Sequence, residues 1–131
     1  VEHLTMEHFM HLDNAEPTIP GGTHKGCILK HLIGNESPVG VEGGMRVAYF
    51  EYEPTGSTEP HRHDQEEQAY FLLEGLMTVT VDGSEYDLTP GGIVHIPLNA
   101  EHSYAPVGEG CKFLIICAPV AFLEGYQNQS D

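Results

Sequence analysis

The sequence predicts an all-β domain, a sandwich or barrel, and three observations carry that expectation. Fifteen Gly and nine Pro are spread through the 131 residues without clustering, so they interrupt the chain at short intervals. The pieces between them are rich in β-branched and aromatic residues, which fit a pleated, half-buried surface. Forty per cent hydrophobic and 19% charged residues make a globular balance, and the length suits one domain with a core.

The elements follow in order. Residues 2–14 (EHLTMEHFMHLDN) place Leu4, Met6, Phe9, Met10 and Leu12 among polar neighbours, a pattern for a short helix or an arm against a sheet. Pro17, Pro20, Gly21 and Gly22 break the chain, and Gly26 to Ile33 reads as a strand, followed by a loop through Pro38, Gly43 and Gly44. Met45 to Glu53 (MRVAYFEYE) reads as a strand running into a turn at Pro54, Gly56 and Pro60. Tyr70 to Leu73 comes next, then a turn at Glu74-Gly75 and the alternating strand Leu76 to Val81. Asp82-Gly83 is a hairpin dipeptide leading into Ser84 to Leu88. Ile93 to Pro97 and Lys112 to Pro119 complete a set of about eight strands.

Twenty Asp and Glu against five Lys and Arg give a formal charge of −15, which repels phosphate backbones and argues against nucleic-acid partners. No apolar run approaches the eighteen or so residues of a membrane helix, and Val1 to Asn14 lacks a signal-peptide pattern, so the cytoplasm is the expected location. Cys27, Cys111 and Cys117 are odd in number and form no C-x-x-C pair, so they read as core thiols.

Chemistry concentrates in Gly56 to Gly75 (GSTEPHRHDQEEQAYFLLEG). His61 and His63 are one residue apart, so on an extended segment both imidazoles project from one face and can share an ion. Such a pair alone is more often two solvated histidines. Its surroundings shift the balance.

His61-x-His63, four residues, Gln68, six residues and Gly75, with Tyr70 and Leu72 before the glycine, resembles the first motif of the cupin superfamily. Gly91, five residues, Pro97, then Ala100-Glu101-His102 resembles the second, with Asn99 where the family prefers Gly and Pro106 where some members have Asn. The resemblance covers about Met45 to Leu123. It implies a cupin-type double-stranded β-helix, a jelly-roll barrel over residues 41–131, preceded by an arm and first strand or strands over 1–40 that could pair two copies as a homodimer. It also implies one divalent metal held by His61, His63, Gln68 and His102, with zinc preferred and nickel, manganese or iron(II) compatible. A second alignment of the later motif, Pro90-x-Gly92-x2-His95-x3-Asn99, would bring His95 to the site; the flanking Val94 and Ile96 favour the opposite face for His95.

Where the commonest cupins carry Glu, this chain has Gln68, and strand alternation lets only one of Glu67 and Gln68 face the ion. Three neutral imidazoles and a carboxamide leave the metal's full charge to polarise a carbonyl, which favours Lewis-acid over redox work. Tyr70 shares the face of Gln68, so its phenol either donates to an oxyanion or packs with its hydroxyl satisfied locally. His95 and Tyr70 are the candidate catalytic groups. His3, His8, His11, His24 and His31 show no ligand spacing and read as surface or packing residues.

The H-x-H-x4-Q pattern is similar to keto-uronate-metabolising cupins and to single-domain polyketide cyclases. Ile115 to Ala121 lacks the acid and arginine that the sugar enzymes carry, with Arg46, Arg62 and Lys112 the cations left in the barrel region. Met45, Phe71, Leu72, Met77, Ile93, Phe113 and Ile115 could line a cavity for an apolar polyketone. The leading expectation is therefore a polyketide cyclase closing rings by aldol chemistry on a small-molecule substrate. A keto-uronate isomerase or lyase, an Fe(II) dioxygenase and a non-catalytic small-molecule-binding cupin are the alternatives.

Overall fold

A computed structural model describes residues 8–34, 37, 39–40 and 44–119. One turn of 3-10 helix, Leu12–Asn14, precedes seven strands: β1 (Pro17–Thr18), β2 (His24–Ile33), β3 (Arg46–Thr58), β4 (Glu66–Val81), β5 (Ser84–Leu88), β6 (Ile93–Ile96) and β7 (His102–Pro119). All pairings are antiparallel, in the order β1-β2-β3-β7-β4-β5, with β6 also on β4. Among the described residues no helix is long and apolar enough to cross a membrane. Residues 1–7, 35–36, 38, 41–43 and 120–131 lie outside the described set, and with them part of the expected arm, part of the loop before β3, and Val120 and Ala121.

The expected strands are present, but three run further than the sequence indicates. Pro54 and Gly56 do not end β3, Glu74-Gly75 does not interrupt β4, and β7 begins at His102. The long strands bend through bulges instead. Gly75 (φ +87) sits between two register shifts of β4 against β7, and a Cβ there would lie 2.3 Å from the Gly110 carbonyl oxygen. Asp82-Gly83 does turn the chain: Asp82 (φ 47) and Gly83 (φ 87) both have the positive φ of a tight hairpin.

The segment from Leu12 to Thr18 lies along the sheet of its own chain: Pro17 and Thr18 pair with Lys30 and Leu29, and Lys30 Nζ donates to the Leu12 carbonyl at 3.1 Å. The core is aromatic. Phe113 is fully buried and its ring lies 5.1–5.9 Å from those of Phe50, Tyr52, Tyr70 and Tyr104, pairs that each add about 0.5–1.5 kcal/mol beyond burial. Alternation along each strand settles which expected cavity residues face inward. Leu72, Met77, Phe113 and Ile115 are buried, whereas Met45 (55% exposed) and Ile93 (62%) face outward and Phe71 is on the face opposite Leu72.

Candidate metal centre

Backbone pairing brings the two motifs together. His61 N–H donates to the His102 carbonyl (3.0 Å), His102 N–H donates back to His61 (2.9 Å), and Asn99 N–H donates to the His63 carbonyl (2.9 Å). Arg62 Nη1 adds a bond to the Asn99 carbonyl at 2.7 Å. Asn99 has φ 64, a conformation open to Gly and next to Asn, which explains how the chain accommodates Asn where the family prefers Gly.

The imidazoles of His61, His63 and His102 converge: one ligating nitrogen from each lies within 4.8 Å of the others, and ring centroids are 4.3–5.1 Å apart. His61 Nδ1 donates to the Glu59 carbonyl (2.7 Å) and His102 Nδ1 to the Ala100 carbonyl (2.9 Å), which leaves the Nε2 lone pairs for a ligand. His102 Nε2 is buried without any hydrogen-bond partner. A buried nitrogen so placed is costly unless something accepts its lone pair, and a metal ion fits. Burial holds the His102 pKa down to about 4 against the pull of its Ala100 hydrogen bond, with His61 and His63 lowering it further. Burial, then His61, lowers that of His63 as well, so both rings are neutral and ready to ligate near pH 7.

Gln68 lines the same cavity, 8% exposed. Its Nε2 donates to Glu66 Oε2 (2.7 Å), and its Oε1 accepts from Tyr70 O–H (3.0 Å). Because a carboxylate only accepts, this arrangement fixes the amide's nitrogen toward Glu66 and its oxygen on the Tyr70 side. Oε1 keeps a second lone pair for an ion. Tyr70 is 1% exposed and its hydroxyl is engaged by Gln68, so of the two expected roles it takes the locally satisfied one. Burial raises its pKa.

His95 is not brought to the site. It stands on the outer face of β6, its side chain 61% exposed, with Nε2 2.6 Å from Glu67 Oε1. The same pairing shows Glu67 pointing away from the cavity and Gln68 into it, as alternation requires.

The structure corrects the reading of His24 and His31 as surface or packing residues, places Arg46 of the barrel-region cations in the cavity wall, and adds Glu66, which the sequence does not single out. The cavity, about 280 Å³, is lined by His24, His31, Arg46 and Glu66 besides His61, His63, Gln68 and Tyr70, with Leu29, Ala48, Phe50, Ile115 and Cys117 as the less polar wall. His24 stacks on Phe50 (5.2 Å), meets His61 edge-on (6.0 Å), and has Nδ1 3.0 Å from Tyr52 Oη and 3.3 Å from Tyr104 Oη. It reaches this face because β2 bulges between Lys25 and Cys27, which puts His24 in phase with Leu29 and His31. The Gly26 break was the available signal. Arg46 pairs with Glu66, and Cys117, its thiol pushed up to about 12 by burial and by Glu66, offers no thiolate.

Fold and site define a class. The cupin domain family model matches residues 48–117, which hold every predicted site residue, and the chain belongs to that family. The chain is 32% identical over 71 residues to quercetin 2,3-dioxygenase of Bacillus subtilis, covering 54% of this chain and 21% of that protein. It is 36% identical over 78 residues to dimethylsulfoniopropionate lyase DddW of Ruegeria pomeroyi, covering 60% of this chain and 51% of that one. The chain thus spans about a fifth and about half of these two relatives. Among solved structures it is similar to the polyketide cyclase RemF of Streptomyces resistomycificus, with TM-score 0.71 and 27% identity over 85% of this chain and 78% of that one. Relatives of this family thus include enzymes of several reaction types.

Proposed function

We propose that this cupin is a metal-dependent, non-redox enzyme that activates a small carbonyl compound inside the barrel. One observation carries the reading: the side chains that converge with the orphaned His102 Nε2 are imidazoles, with no carboxylate in the converging group among the described residues, and the Gln68 amide lines the cavity beside His61 and His63. A divalent ion there, zinc by preference, with nickel, manganese or iron(II) compatible, would supply undiminished Lewis acidity to substrate oxygens. The protein's part is positional. The Glu59 and Ala100 carbonyls aim His61 and His102, Glu66 and Tyr70 aim Gln68, and Leu29, Phe50 and Ile115 limit water around the bound substrate.

Ring closure of a polyketone is the second reading, favoured by the likeness to RemF. The volume counts against it: about 280 Å³ falls just below the usual range for ligand pockets, roughly 300–1,000 Å³, and suits a small molecule better than a long folded chain.

The test is reconstitution of the metal-free chain. One zinc per chain is expected by elemental analysis, lost in His102→Ala and kept in His95→Ala. The loaded protein should catalyse deuterium uptake beside the carbonyl of small enolisable ketones equally with and without oxygen. Failure of the wild type to take up any ion would end the reading, and turnover that requires oxygen would replace it with a dioxygenase.

A further inference from the structure

Charge inside the cavity is unevenly distributed. Glu66 is the carboxylate of the cavity wall, and it is committed: Oε1 meets Arg46, Oε2 accepts from Gln68, and its side chain is only 14% exposed. With Glu66 neutralised by Arg46, and with imidazole and amide donors alone around the ion, nothing in the wall offsets a divalent charge. A half-buried net charge is costly, so the compensating anion has to arrive with the ligand. Arg46 is the cation placed to receive it. Its side chain lines the cavity and is 36% exposed, more than twice as open as that of Glu66, and it lies opposite Cys117 in the β3–β7 register. A guanidinium carries five N–H donors in a planar fork, so the one nitrogen turned to Glu66 leaves the group able to hold a second carboxylate.

Resting on the carbonyl reading above, we propose that the substrate is a small keto acid, its carbonyl directed to the three-histidine centre and its carboxylate held by Arg46 as the specificity-determining residue. This supplies from β3 the arginine that Ile115 to Ala121 lacks. It also reconciles an anionic ligand with a chain of formal charge −15, because the attraction is confined to one cavity.

The experiment compares acetoacetate with its neutral methyl ester on the zinc-loaded full chain by calorimetry. Both are expected to bind, acetoacetate the more tightly. Arg46→Gln should weaken acetoacetate roughly ten- to hundredfold, the range of a lost charge-assisted hydrogen bond, and leave the ester and the zinc content unchanged. The double variant Arg46→Gln/Glu66→Gln removes the pair without exposing a carboxylate, and should stay as weak as the single one. Recovery of wild-type affinity in the double variant would mean that Arg46 only masks Glu66 and would overturn the proposal. Equal binding of acid and ester by the wild type would do the same while sparing the carbonyl reading. Binding of neither probe would remove both.

Discussion

Gln68 sits between a carboxylate that takes its N–H and a phenol that gives to its oxygen, and this accounts for an amide where the resemblance to the cupin motif leads one to expect an acid. A carboxylate at this position would face Glu66 across the gap that the amide now bridges at 2.7 Å. Gln68→Glu is therefore expected to destabilise the metal-free chain by about 1–3 kcal/mol at pH 7. The like charge raises the new carboxyl's pKa in the folded state, so the penalty should be present at neutral pH and fade on acidification. Glu66→Gln/Gln68→Glu, which rebuilds one acid and one amide, should be more stable than Gln68→Glu alone in urea unfolding; a single variant as stable as the wild type would defeat this account. The His61 and His63 pair is legible in the sequence because its spacing and the two-residue strand period are local, and His102 is legible only through the resemblance of the second motif to that of the cupins. That Arg46, Glu66 and His24 line the same cavity is not legible, since their arrival depends on cross-strand register and on a bulge in β2.

At the scale of elements, most strands are visible as β-branched and aromatic runs, but a bend in a long strand carries the same residues as its end. Glycine reads the same in a turn and in a bulge, and only tertiary packing separates the two. Gly75 and Gly83 make the point, with the same φ of +87 and opposite surroundings: a Cβ at Gly83 would meet nothing within 4 Å, and one at Gly75 would collide with the Gly110 carbonyl. Gly83→Ala should thus cost about 1–2 kcal/mol, the price of the left-handed conformation alone. Gly75→Ala should cost more, about 3–4 kcal/mol, because backbone must also shift. Equal losses in chemical denaturation would show that the corner yields freely.

For the molecule as a whole, burial first, then neighbouring imidazoles, holds His24 at about 4, and burial likewise brings His102 to about 4. An imidazole depressed in the folded state contributes stability that is complete above its unfolded value near 6.5 and is lost as pH falls toward 4, because the unfolded chain binds the proton first. The melting temperature of the metal-free chain should fall through that window. Relief of repulsion among the carboxylates acts in the opposite sense, so the comparison with His24→Gln, whose profile should be flatter, isolates the imidazole; identical profiles would discount it. A different consequence follows from β7, which comes after every other described strand yet lies between β3 and β4, joining pairs as distant in sequence as Arg46 and Cys117. On the ribosome, β2–β3 and β4–β6 emerge as two groups with unzipped edges, exposed to wrong partners until the latecomer threads between them. Arg46 comes with the first group, Gln68 with the second and His102 with the latecomer, so this pocket is born only when the barrel closes.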